Sequence, residues 1–230
     1  MDFIQPNFCS NERPLAAAVL AGGQSKRMGR DKAWLSFEGE PLWKRQLIKL
    51  KAAGFNPLIV SCREEQGIAE ALTAWNQDRR TAGDFEFDIK VILDPVTMQQ
   101  NGIAQGPLAA LVRCLEQVNR PLLVCAVDLP QLTVELLTQL RRRTSQMTGG
   151  MLVKHGEQVE PLLSVWHPQS LPTLIQALNQ QPKQPSLKQL LAQEEQAGRA
   201  ISWQLPKDQE HGLVNWNHPT DLPPSVNLIS

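Results

Sequence analysis

Residues 20–32 read Leu20-Ala21-Gly22-Gly23-Gln24-Ser25-Lys26-Arg27-Met28-Gly29-Arg30-Asp31-Lys32. Glycines let a backbone approach a ligand closely and turn its amides toward an anion. Lys26, Arg27, Arg30 and Lys32 add positive charge, opposed only by Asp31. Such a segment suits a polyphosphate. It is not a P-loop, because Gly29 is followed by Arg30 rather than by Lys and Ser or Thr. It is not a dinucleotide fingerprint, because the glycines do not fall as GxGxxG. On charge and glycine alone, a solvated turn between a strand and a helix accounts for it equally well. Two acids stand at comparable places farther on. Asp128 closes the apolar run Pro121–Val127 and could hold a cation or cap the next helix. Asp94 follows Ile89–Leu93 and could face a ligand or serve as a turn residue before Pro95.

The elements that must carry these groups follow from hydrophobic pattern. Leu15–Leu20, Pro57–Cys62, Ile89–Leu93 and Pro121–Val127 read as short strands, the first a continuous apolar run of the kind buried on both faces of a sheet. Helical patterns over Pro41–Ala53, Glu64–Trp75, Gly106–Val118 and Gln131–Arg143 alternate with them. The alternation predicts an α/β fold: a doubly wound, mostly parallel sheet with helices on both faces, in a single domain. In such a sheet ligands gather at the carboxyl ends of the strands, where the glycine loop, Asp94 and Asp128 all fall. Beyond residue 143, Met151–His155 and Leu162–Trp166 are expected as a ribbon turning at Gly156. Helices are expected over Gln169–Asn179 and Ser186–Glu195, and a strand over Ile201–Leu205. Residues 1–14 and 223–230 are expected as tails flanking a domain from 15 to 222, and Asn76–Asp88 as a surface connection.

Composition narrows the classes. Among 230 residues, Lys plus Arg and Asp plus Glu both number 23. A chain without a basic surplus is not built for general nucleic-acid binding. Cys9, Cys62, Cys114 and Cys125 form no metal-binding spacing, and the last three sit in apolar contexts that favour inert thiols. There is no secretory leader pattern and no run long enough to cross a bilayer, so a cytoplasmic protein is expected. His155, His167, His211 and His218 form no cluster in sequence, and no arrangement for a covalent intermediate stands out. Trp34, Trp43 and Trp75 are expected in or beside the core, whereas Trp216 is offered as a platform against a flat heterocycle.

The motif LAGGQSKRMGRDK resembles the LAGG-x(n)-RMG-x-DK signature of the family containing molybdenum cofactor guanylyltransferase and its nucleotidyltransferase relatives. The likeness continues in Gly39-Glu40-Pro41-Leu42, Asp94, Gly106-Pro107-Leu108-Ala109, Val127-Asp128-Leu129-Pro130, Glu160-Pro161-Leu162 and Asn215-Trp216-Asn217-His218-Pro219. The resemblance implies a Rossmann-like nucleotidyltransferase fold. It implies backbone contacts to the nucleotide from Leu20, Ala21 and Gly22, with Gly23 and Arg27 shaping and charging the phosphate loop. Lys32 would hold phosphate or base, Asp94 the nucleoside, and Asp128 Mg2+. Asn215 and Asn217 would lie near the pterin acceptor. Family members often carry Asn after the second strand, where Ser61 is the nearest match here. The link from Val96 to Gln105 is longer than usual. The activity so implied is Mg2+-dependent transfer of GMP from GTP to molybdopterin, with transient contact to other molybdenum-cofactor proteins. A CTP-using cytidylyltransferase, a sugar-phosphate nucleotidyltransferase and a non-catalytic nucleotide-binding protein are the alternatives.

Overall fold

The computed structural model describes residues 15–23, 25, 27–81, 89–94, 106–145, 147–180, 183–223 and 226–228. Residues 1–14 with Cys9, the loop cation Lys26, residues 82–88 of the expected connection and the link 95–105 lie outside the described residues.

The chain forms an α/β domain. In order, its elements are β1 (Ala16–Leu20), β2 (Leu35–Phe37), β3 (Glu40–Pro41), α1 (Leu42–Ala52), β4 (Leu58–Arg63), α2 (Ile68–Thr81) and β5 (Ile89–Asp94). They continue through α3 (Pro107–Val118), β6 (Leu122–Ala126), α4 (Val134–Ser145), β7 (Gly150–His155), β8 (Gln158–Trp166), α5 (Leu171–Leu178), α6 (Leu187–Gln196), β9 (Ala200–Gln204) and β10 (Asn227–Leu228). Seven strands make the central sheet in the order β5-β4-β1-β6-β8-β7-β9. The first four are mutually parallel, β8 runs antiparallel to both neighbours, and β9 pairs parallel with β7.

Alternation along the strands sorts the core into two layers. Ala17, Val19, Leu58, Val60, Leu123 and Cys125 pack with α1 and α4 residues such as Leu47, Leu50, Leu137 and Leu140. Ala16, Ala18, Ile59, Leu122 and Val124 pack on the other face with Leu111 and Leu115 of α3, Leu174 of α5 and Leu190 of α6. The small side chains of β1 bring helices close to the strand at the sheet's centre. As expected, Trp43 is buried, with Trp34 and Trp75 partly buried beside it and both packed edge-on to its ring.

Local chemistry sets the ends. Pro107 opens α3, where a missing N–H costs nothing, and Asn119 at φ 44° closes it by donating to Leu115 O. Ser186 and Gln189 form a reciprocal cap on α6. α2 begins later and runs farther than the sequence predicts. Glu64–Gln66 form a separate 3-10 turn, Gly67 reverses the chain at φ 67°, and the helix continues past Trp75 to Thr81. The ribbon turning at Gly156 is present, with β8 starting four residues before the predicted Leu162. A second, three-stranded sheet of order β10-β2-β3 was not foreseen, because its strands have only two or three residues each.

Candidate functional site

The chain passes from β1 outward to β4 and β5, then returns to place β6 on the other side of β1. This reversal opens a crevice at the carboxyl ends of β1 and β6, the location where open α/β sheets bind ligands. Leu20 lies beside Ala126, and Val127 N–H donates to Leu20 O at 3.3 Å, carrying the pairing past the strand end. The glycine loop and Asp128 therefore leave the sheet side by side.

Lys32, Asp128 and Asn217 meet in this crevice although they are far apart in sequence. Lys32 Nζ donates to Asp128 Oδ2 at 2.9 Å and to Asn217 Oδ1 at 2.8 Å. The lysine and aspartate side chains keep 13% and 18% of their surface exposed, enough for a ligand to reach them. Asp128 Oδ1 is buried and has no hydrogen-bond partner among the described residues. An unpaired carboxylate oxygen is costly unless something else compensates it. A divalent cation would do so, and magnesium takes only one or two protein carboxylates when phosphate and water complete its shell. The residues present fit that ion; no group of three His, Cys, Asp or Glu side chains could hold a metal among the described residues. Asp128 is held from behind. Its carbonyl accepts from Trp216 N–H at 3.0 Å, while Gln46 and Lys49 of α1 donate to Leu129 O and Pro130 O. Burial, followed by repulsion from Arg45, brings the Lys49 ammonium down to about 8.

Asp94 forms a second group beside the loop. Its Oδ1 accepts from Ser61 Oγ at 3.1 Å and from Arg113 Nη2 of α3. Its Oδ2 lies so close to Gly22 that a Cβ there would sit 2.0 Å away, so any side chain at this position must displace the carboxylate or the loop. Ser61 is fully buried behind Asp94, and its carbonyl accepts from Ala21 N–H at 2.8 Å. Ser61 therefore reaches the crevice only through Asp94 and the loop backbone.

The remaining expected residues are dispersed. Arg27 is exposed on the loop turn. Asn215 turns its amide toward Glu160 Oε2, at 3.3 Å, rather than toward Lys32. Burial, reinforced by nearby Asp128, holds the Glu160 carboxyl above its ordinary range. Asp31, the single acid of the loop, serves as a brace: its Oδ1 caps Ala33 N–H, and its Oδ2 accepts from Gln66 and Arg63. The stacking role offered for Trp216 is corrected. The ring is 1% exposed and packs edge-on against Phe37 at 5.1 Å, so no heterocycle can lie on it. Sequence reasoning missed Arg63, Gln66 and Arg113. A polar residue at a strand's carboxyl end is a usable signal for Arg63. Nothing local marks Arg113, whose partner stands at the end of β5, against which α3 packs.

The sequence pattern of the MobA-like NTP transferase domain matches residues 17–197. A protein of Opitutus terrae named "Probable molybdenum cofactor guanylyltransferase" is 30% identical over 216 residues, covering 92% of this chain and 95% of that one. The molybdenum cofactor guanylyltransferase of Pseudomonas putida strain GB-1 is 29% identical over 208 residues, covering 90% and 94%. The crystal structure of molybdopterin-guanine dinucleotide biosynthesis protein A from Archaeoglobus fulgidus has the same fold. It superposes with a TM-score of 0.62 at 20% identity, covering 90% of this chain and 94% of that one. The match along most of the chain decides the matter: this protein is a nucleotidyltransferase and belongs to the MobA-like NTP transferase family.

Proposed function

We propose that the protein transfers GMP from GTP to the terminal phosphate of molybdopterin, releasing pyrophosphate and forming the guanine dinucleotide cofactor. The observation that carries the reading is the meeting of Lys32, Asp128 and Asn217 at the switch point, with one Asp128 oxygen buried and, among the described residues, unpartnered. The relatives named molybdenum cofactor guanylyltransferase supply the identity of the two substrates.

In this reaction an oxygen of the acceptor phosphate bonds to the α-phosphorus. The bond from that phosphorus to the bridging oxygen breaks, and pyrophosphate leaves with the electron pair. The nucleophile is already an anion, so no strong general base is needed. The difficulty is holding two anions together, which is a task for positioning and charge. Asp128 would hold Mg2+ through Oδ1. When bound, the ion supplies charge that neutralises phosphate oxygens. Lys32, released from Asp128 Oδ2, would meet phosphate oxygens. Arg27, exposed on the loop, would meet the leaving pyrophosphate. Leu20, Ala21, Gly22 and Gly23 would line the nucleotide, with Asp94 facing the nucleoside and Ser61 supporting Asp94. Asn217 would set Lys32 at the acceptor side, with Asn215 beside it.

The test is pyrophosphate release with Mg2+ and molybdopterin, comparing GTP with CTP. Release with GTP is expected. Release with CTP alone would overturn the choice of base but keep the site. Silence with both would overturn the acceptor, and sugar phosphates would be tried next.

A further inference from the structure

We infer that Arg63 and Gln66, at the carboxyl end of β4, are positioning residues that orient the glycine loop for a triphosphate. The inference rests on the reading that this loop receives the nucleotide's phosphates. Gln66 Nε2 donates to Ala21 O at 3.0 Å. Arg63 Nη1 donates to Gly22 O at 2.8 Å and to Gly23 O at 2.7 Å. Three consecutive loop carbonyls are thus drawn toward one side by two side chains. In a trans peptide the carbonyl and the following N–H point in opposite directions. Pulling Ala21 O and Gly22 O toward β4 therefore turns the N–H groups of Gly22 and Gly23 the other way. Among the described residues neither N–H meets a protein acceptor. Adjacent amides left open in this manner form an anion-binding concavity.

The clamp is itself braced. Gln66 Oε1 accepts from Arg63 N–H at 2.7 Å, so the two residues hold each other. Arg63 Nη2 and Gln66 Nε2 both reach Asp31 Oδ2, at 3.2 and 2.7 Å. Asp31 directly precedes Lys32, so one guanidinium ties the start of the loop to its end. Trp34 Nε1 adds a bond to Gln66 O at 2.7 Å. A planar guanidinium has several donors in fixed directions and can span these acceptors together, whereas a lysine offers one point of charge. Arg63 is 22% exposed, and its charge is spent on loop oxygens and on Asp31 and Glu65. It acts through the loop rather than on the substrate.

The experiment compares GTP with GMP, each with Mg2+, by calorimetric titration of the full chain as wild type, Arg63→Lys and Gln66→Met, with melting temperature read in parallel. The clamp predicts that wild type prefers GTP to GMP. It predicts that Arg63→Lys loses about tenfold or more of its GTP affinity while GMP affinity changes little. Gln66→Met should lose several-fold in the same direction. Both variants should raise KM for GTP and leave KM for the acceptor unchanged. A merely structural role would weaken both nucleotides together as the melting temperature falls, and that result would overturn the inference. A wild type that binds GTP no better than GMP would refute the phosphate-loop reading itself. A wild type with the preference, and variants that keep it in full, would refute the clamp alone.

Discussion

At the scale of single residues the site is decided by which polar atoms are left over. Asp128 spends Oδ2 on Lys32 and keeps Oδ1 buried without a partner among the described residues. Asn at this position can still accept from Lys32 but has one fewer charged oxygen for a cation. Asp128→Asn is therefore expected to fold normally and lose about a hundredfold or more in turnover, read as pyrophosphate release against an unchanged melting curve. The two adjacent glycines differ in kind. A Cβ on Gly22 would strike Asp94 Oδ2, whereas one on Gly23 meets nothing within 4 Å among the described residues. Gly22→Ala should displace Asp94 or the loop and weaken GTP binding about tenfold or more. Gly23→Ala should keep the stability of the unliganded protein within about 0.5 kcal/mol. Titrations and urea melts of the pair check both statements.

At the scale of elements the site is a junction of strand ends held by side chains from other layers. α1 anchors the segment after β6 through Gln46 and Lys49, α3 sends Arg113 to Asp94, and the 3-10 turn after β4 grips the loop. The segment carrying Asn215-Trp216-Asn217 is set by Trp216, whose ring fills the core beside Phe37 and whose N–H holds Asp128 O. Its burial makes Trp216→Ala a cavity mutation that should cost about 3–5 kcal/mol in urea unfolding. Because the same segment delivers Asn217 to Lys32, turnover should fall as well, beyond what loss of folded protein explains.

Across the whole molecule three thiols share one fate. Cys62, Cys114 and Cys125 are free and buried, and burial pushes each up to about 12 from 9.0. In the unfolded chain they ionise near 9, so between about pH 9 and 12 the folded state binds more protons. Their contribution to stability is complete below pH 9 and is lost as pH rises toward 12. Urea midpoints should therefore fall with pH above 9, less steeply in Cys125→Ala. Native protein should resist thiol reagents at these positions near neutral pH, as peptide mapping after labelling would show. No helix of the described residues is long and apolar enough to cross a membrane.

Much of this organisation was legible in the chain itself. The runs around Val19, Val60 and Val124 marked parallel strands because a strand buried on both faces is largely apolar, and the run around Ile92 marked the partly buried strand at the sheet's edge. The glycine loop, Asp94 and Asp128 were legible because glycine and a charged residue at the end of such a run each need a reason to be there. The edges of the small second sheet were not, since two or three residues carry no period. Nor were the pairings. That Lys32 meets Asn217, that Arg113 meets Asp94, and that Trp216 turns inward depend on contacts between residues distant in sequence, which no local pattern encodes. The sequence by itself determined the layers and the strand ends where chemistry gathers, because burial acts on each segment locally. Only the tertiary structure decided which side chains share a proton, hold a carbonyl or leave an oxygen free, because those outcomes belong to pairs brought together by the packing of the whole sheet.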